Sequence, residues 1–267
     1  MIPKSETLER AALEDLHRAA TPLLKRALGL QCIRVGSALV SIAAALPSSA
    51  IVINRSIGLG LAWPAEAGDV AALTANYRKA GVSRYFVQLH PEAKPASIPG
   101  WLRSHQLVEA RGWQKFSRGT APVEDKPASL EIREAGPEHG ESFARIVCSA
   151  FDLGEEAIPW LSLLPGRENW HVFMSFKDGK AAGTGALFVR KGLAWLDFAA
   201  TAPQFRRQGS QGAIQAARLQ LAHELGCRRV FTCTGVAVPG DPQHSYNNIL
   251  RIGFEKDYVR QNFSPRR

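Results

Sequence analysis

Apolar residues recur at helical spacing near the start of the chain. Within Ser5–His17 the leucines Leu8, Leu13 and Leu16 fall near one face, and Leu23 and Leu24 continue it, so the spacing predicts an opening helix. After Gly29 the texture changes to short apolar runs. Gln31–Val35, Leu39–Ile42 and Ala50–Asn54 read as strands, with the turn Pro47-Ser48-Ser49 between the last two. Gly58 and Gly60 break the pattern. A helix is then expected over 67–79, stopped by Gly81. It is followed by a buried strand over 84–89, a helix near 99–106 and a strand-like stretch from Arg111 to Phe116.

A second series begins after residues 117–128, where two prolines, mixed charge and almost nothing to bury read as a linker. A strand is expected over 130–134 and a helix from Pro137, with Phe143, Ile146 and Val147 on one side. Trp170–Phe176, Ala181–Val189 and Leu193–Ala200 are strand-like. Asp178-Gly179 and Lys191-Gly192 separate them, and Asp-Gly between two such runs is a strong hairpin signal. Then come a basic turn containing glycine, a helix (213–225), a strand (229–233), a Gly/Pro loop, a helix (245–252) and a last strand (254–259).

The two series resemble each other. Gly81-Val-Ser-Arg-Tyr-Phe86 matches Gly226-Cys-Arg-Arg-Val-Phe231, and Arg111-Gly-Trp-Gln-Lys115 matches Ile252-Gly-Phe-Glu-Lys256. The offsets, 145 and 141 residues, are nearly equal, as a duplicated fold gives. The organisation expected is α/β: a first domain over 1–118, a linker over 119–128 and a second domain over 129–267.

The longest apolar run, Ser37–Pro47, is too short for a membrane span of about 20 residues. The first ten residues lack the basic-then-apolar order of a signal peptide, so a soluble, cytoplasmic protein without a membrane partner is expected. Thirty-three Lys and Arg against twenty-four Asp and Glu give a formal charge of +9. That balance suits a nucleic acid or a polyanionic small molecule alike. The bases are scattered and no zinc-finger or RNA-binding signature accompanies them, which argues against nucleic acid. Cys32, Cys148, Cys227 and Cys233 form no CxxC pair and read as reduced thiols, with no metal site expected.

Candidate chemistry concentrates between Ala200 and Arg218. A strand ends at Thr201, Pro203 stops further pairing, and Arg206, Arg207, Gln208, Gly209, Ser210, Gln211 and Gly212 open an alanine-rich helix. Helix starts leave backbone N–H groups unpaired and carry partial positive charge, so this turn suits a phosphate. An ordinary strand-to-helix turn with solvated arginines has the same spacing.

Proline two residues past the strand, an aromatic, Arg206-x-x-Gly209 and a helix together resemble the coenzyme A loop of the GCN5-related N-acetyltransferase (GNAT) superfamily. That loop is usually Arg/Gln-x-x-Gly-x-Gly/Ala, and Gln211 stands where Gly or Ala is usual. The resemblance extends in element order over about 129–262, and Asn247–Phe254 is similar to the superfamily's closing helix-to-strand Gly-Phe signature. The first half has the matching tail Arg111-Gly-Trp113 and a literal Arg55-Ser-Ile-Gly-Leu-Gly60. Leu61–Pro64 intervene there before the helix, so this half resembles a degenerate repeat in a tandem GNAT arrangement.

The resemblance implies two GNAT-like halves, each a mixed, mostly antiparallel sheet flanked by helices. It implies transfer of acetyl from acetyl-CoA to a primary amine by direct attack, the acceptor being a small molecule or a protein. The alternative is a non-catalytic acyl-CoA-binding sensor or interaction module. Backbone groups of Ala199, Ala200 and Thr201 would pair with the pantetheine and polarise the thioester carbonyl, and the 206–212 loop would hold the pyrophosphate. Asn247 and Asn248 would meet the pantetheine arm or lie on the helix surface. The usual tyrosine position is Ile249; Tyr246, one turn earlier, is either the substitute acid or a core tyrosine. Asp197 is a candidate base or amine anchor, against an outward, solvated aspartate, and His244 is a candidate to touch the reaction, against a polar loop position. A homo-oligomer stays open.

Overall fold

The computed structural model describes residues 2–123 and 130–266; residues 124–128 of the expected linker, and residue 129 after it, lie outside them. Two compact units result. The first comprises Met1–Lys115, Cys233–Tyr246 and Lys256–Arg267, the second Phe116–Thr232 and Asn247–Glu255.

In the first unit α1 (Lys4–Ala19) and α2 (Pro22–Ala27) lead into β1 (Leu30–Val35), β2 (Ala38–Ala43) and β3 (Arg55–Ile57). Then follow α3 (Ala67–Lys79), β4 (Phe86–Leu89), α4 (Ile98–Ser104) and β5 (Leu107–Arg118). β1, β2 and β3 form an antiparallel meander, and β3 pairs with β4 in parallel. The strand expected over 50–54 is instead a series of turns. Ala50 and Ile53 bury their side chains, while Asn54 Oδ1 accepts the Ala43 N–H at 2.7 Å and closes the end of β2. An apolar run can be buried as a turn when a side-chain amide supplies the missing ladder partner.

The second unit contains β6 (Glu131–Glu134), α5 (Gly140–Phe151), α6 (Ile158–Leu161), β7 (Trp170–Lys177), β8 (Lys180–Arg190) and β9 (Leu193–Thr201). After them come α7 (Ser210–Glu224), β10 (Arg229–Gly235), which belongs to this unit as far as Thr232, and α8 (His244–Arg251), which belongs to it from Asn247 onward. Its sheet has the order β6-β7-β8-β9-β10, antiparallel as far as β9 and parallel between β9 and β10. Both hairpin turns take left-handed backbone, Asp178 and Gly179 at φ 49° and 75°, Lys191 and Gly192 at 53° and 68°. That is what Asp-Gly signals. Trp160, Trp170 and Trp195 are core residues.

The last strand, β11 (Glu255–Pro265), corrects the expected domain boundaries. From Lys256 onward it belongs to the first unit, where it lies between β4 and β5 and pairs antiparallel with β4 through Gln261↔Leu89, Asn262↔Gln88 and Phe263↔Val87. Phe263 joins the core formed by Val40, Leu73 and Tyr77. Buried charge accompanies this placement. α1 presents Glu6 and Glu9, β3 brings Arg55, β5 brings Lys115 and β11 brings Arg260, all buried. Glu9 takes Arg260 Nη1 at 2.7 Å, Arg55 Nη1 at 2.6 Å and Lys115 Nζ at 2.5 Å, and Tyr258 Oη donates to Glu6 Oε1 at 2.6 Å. Burial pushes the Glu9 carboxyl up, but Arg260, Lys115 and Arg55 outweigh it and hold the group well below the usual carboxylate range. The cations look like ordinary surface residues in the sequence, so the boundary is invisible there.

Candidate functional site

β9 and β10 are paired only through Arg229↔Leu193, Val230↔Ala194 and Phe231↔Trp195. Thr232 Oγ1 then donates to Leu196 O at 3.1 Å, and β9 continues to Thr201 without a further partner on β10. Two parallel strands that part in this way expose unpaired peptide groups along the longer one.

The exposed stretch begins with a bulge. On β8, Thr184 pairs with Ala200 and Ala186 with Asp197, so Gly185 alone faces both Phe198 and Ala199. Phe198 takes a left-handed φ of 49°, which costs a side-chain-bearing residue of order 1–2 kcal/mol. Its ring is seated among Phe143, Phe151 and Trp170, at centroid distances of 6.2, 6.3 and 6.2 Å. Asp197, half-buried, accepts the Trp195 Nε1–H at 3.0 Å on Oδ2 and the Phe198 N–H at 2.9 Å on Oδ1. Its carboxylate is thus already engaged in shaping the strand. Ala199 is exposed, Ala200 buried and Thr201 half-buried.

The turn after β9 leads directly into α7. Arg207 (φ 64°) and Gly209 (φ 85°) are left-handed, and Gly209 precedes the first helical residue. Ala213 N–H is the first to find a backbone acceptor, Gly209 O at 3.1 Å, so the N–H groups of Ser210, Gln211 and Gly212 have none. The polar side chains of the turn are held by the sheet: Gln208 Oε1 accepts from Lys177 Nζ (2.8 Å), and Ser210 Oγ meets Ser175 Oγ (2.7 Å). Gly183 leaves the room that Ser210 occupies. Gln211 Nε2 donates to Ala200 O (2.7 Å) and Thr201 Oγ1 (3.0 Å). The unusual Gln211 therefore ties the helix start to β9. A Cβ at Gly212 would meet nothing within 4 Å, and Arg206 and Arg207 are exposed with no carboxylate partner among the described residues. Open N–H groups, a helix dipole and two uncommitted guanidinium groups fit a diphosphate.

The remaining sequence candidates divide between the two units. His244 and Tyr246 belong to the first unit, whereas Asn247 and Asn248 belong to the second. Tyr246 is buried, with Lys256 Nζ 5.4 Å from its ring centroid, and His244 is exposed. Asn247 is exposed, and Asn248 accepts from Arg251 Nη1 at 2.9 Å. His171 is bound to Glu134 at 2.8 Å. Two residues that sequence did not single out lie against the bulge: Arg218 on α7, whose Nη1 donates to Ala186 O and Asp197 O, and Gly185 opposite it. Glycines in the middle of a strand mark bulges or close approach, and that was the available signal.

In the first unit the literal motif has another fate. β3 is paired with β4 over all three of its residues. Gly58 (φ 89°) and Gly60 (φ 69°) are left-handed, but a Cβ at Gly58 would meet Arg10 Nη1 at 2.7 Å, and one at Gly60 would run into Lys94 O and Ile98. Asp69, in the first turn of α3, accepts the Glu66 N–H at 3.0 Å, placing the chain's own carboxylate at that helix start.

No family model matches the sequence, and neither does any curated protein. Solved structures do match. A GCN5-related N-acetyltransferase from Kribbella flavida superposes with a TM-score of 0.65 over 99% of this chain and 96% of its own, at 17% identity. One from Sphaerobacter thermophilus gives 0.60 over 87% and 81%, at 14% identity. A tandem GNAT protein from the clavulanic acid biosynthesis pathway gives 0.52 over 74% and 68%, at 16% identity. The fold is GNAT, in tandem. Within the GNAT fold, the turn at 206–212 and the bulged strand before it occupy the second of the two halves. No helix among the described residues is long and apolar enough to cross a membrane.

Proposed function

We propose that the second unit binds acetyl-CoA and transfers its acetyl group to a primary amine. The observation that carries this reading is the start of α7, where three N–H groups without backbone acceptors and two arginines without a carboxylate partner, among the described residues, adjoin a left-handed glycine. Acetyl-CoA would supply an activated thioester, its pyrophosphate on the 206–212 turn. The peptide groups of Ala199–Thr201, unpaired toward β10, would receive the pantetheine and offer fixed N–H donors where negative charge develops on the carbonyl oxygen. An amine is mostly protonated near neutral pH, so a base must take its proton before attack, and an acid must meet the departing thiolate. Tyr246 is the acid nominated by sequence, Asp197 the base or amine anchor, and His244 a further candidate to touch the reaction. Asp197, with both oxygens accepting hydrogen bonds, supports a role in holding the strand as much as one in proton transfer.

Its engagement is also what favours the second reading, an acyl-CoA-binding module without turnover. Calorimetry with coenzyme A and thiol release from acetyl-CoA across a panel of amines separate the two. The transferase binds and releases thiol, the module binds only, and absence of binding ends both. Tyr246→Phe lowers kcat and leaves coenzyme A affinity unchanged if the phenol is the acid; equal rates return it to the core.

A further inference from the structure

From the packing of α7 against β8 and β9 we infer that Arg218 is a positioning residue: its buried guanidinium clamps the β9 bulge in the shape that presents Ala199–Thr201 to the thioester. The inference rests on the acetyl-CoA reading. Arg218 is 1% exposed. Its Nη1 donates to Ala186 O at 2.9 Å and to Asp197 O at 3.3 Å, the residues paired on β8 and β9 where the regular ladder resumes. Nε donates to Ile214 O at 3.4 Å, one turn back on its own helix.

The space for it is specific. A Cβ at Gly185 would lie 2.7 Å from Arg218 Cζ and 2.9 Å from Nη1, so the glycine opposite the bulge is the opening through which the guanidinium reaches the strands. An unpaired buried cation is costly, and two strand carbonyls together with the nearby Asp197 carboxylate compensate it. Burial lowers the Arg218 pKa to about 10 and Asp197 works against that fall, so the group is charged at neutral pH. The bulge is thereby gripped on both sides of its strained residue, by the aromatic ring cluster around Phe198 and by the guanidinium at Asp197 O. The same helix carries the phosphate turn eight residues earlier, so seat and bulge are set by one rigid element.

Hydrogen exchange on the full-length protein tests the clamp directly. In Arg218→Met, and in Gly185→Ala, which displaces the guanidinium without removing its charge, the amides over 193–201 exchange at least about tenfold faster, while those over 170–177 are unchanged. Arg218→Lys, with one ammonium reaching fewer acceptors, restores part of the protection. If all three variants exchange as the parent does over 193–201, the clamp is wrong. A second readout separates positioning from packing. The ratio of acetyl-CoA to coenzyme A affinity falls about fivefold in Arg218→Met, as for one lost hydrogen bond to the acetyl carbonyl, and coenzyme A itself still binds. An unchanged ratio reduces Arg218 to packing. Should the parent protein bind neither ligand, the acetyl-CoA reading fails, and exchange without ligand still decides whether Arg218 holds the bulge.

Discussion

In the second unit β9 runs six residues past its last pair with β10, whereas in the first β3 is paired with β4 along its whole length. The turns that follow differ in the same sense. Among the described residues, one leaves the first N–H groups of α7 without backbone acceptors and its arginines without a carboxylate partner; the other is filled by Arg10, Lys94 and Ile98, and its helix start is met by Asp69. Even the motif arginine is spent differently, since Arg55 is buried against Glu9 and Gln88. The first unit matches the written coenzyme A pattern better than the second. A motif specifies residue types, but a binding site depends on which of their groups the rest of the chain leaves uncommitted.

The largest expected break in this contrast is Glu9→Gln. It removes the carboxylate that Arg55, Lys115 and Arg260 share in the closed unit, leaving Arg260 with Glu6, and breaking such a buried set costs about 3–5 kcal/mol. Urea denaturation should show the first unit melting early while coenzyme A binding by the second persists. Acid should act on the same unit. His17 is buried, with Nε2 2.7 Å from Ser41 Oγ, and burial, helped by Lys25, lowers its pKa to about 4. The unfolded chain takes that proton near pH 6.5 and the folded one resists it. The stabilisation is therefore whole above pH 6.5 and is lost progressively as pH falls to about 4, about 3 kcal/mol in all. A urea midpoint that declines over this range in the parent, and much less in His17→Asn, checks it.

On the open side, Gly209→Asp places a negative charge and a strained side chain at the seat. Coenzyme A affinity should fall by about thirtyfold, roughly 2 kcal/mol, by calorimetry; an unchanged affinity contradicts the assignment. Gln211→Ala removes the tie of the helix start to Ala200 and Thr201 on β9 and to Thr184 on β8, and should weaken binding by about fivefold at most.

Much of this architecture was legible in the chain. The 67–79 helix, both hairpins and the start of β10 followed from periodicity, glycine turns and strand texture, and the repeat offset pointed to two halves. The 206–212 turn stood out because proline, glycine and a helix start lie within a few residues. What escaped was everything that depends on residues far apart. Ala50–Asn54 looked like a strand because apolar content does not reveal whether a side-chain amide will close the neighbouring ladder. Glu6, Glu9 and Arg260 carried no sign of burial, because charged residues are normally solvated. Arg218 lay in an alanine-rich helix as one more cation. Its role appears only once Gly185 is set beside it.

β11 gives the chain an awkward order of assembly. The unit that starts to emerge first from the ribosome lacks an interior strand until residues some 140 positions beyond the end of β5 have been made, so its closing contacts are very long in sequence. The intervening unit meanwhile has most of its own sheet in hand. Nascent Glu6 and Glu9 must therefore wait beside an unfilled gap in the sheet, and the half that is translated earliest is the half that locks last.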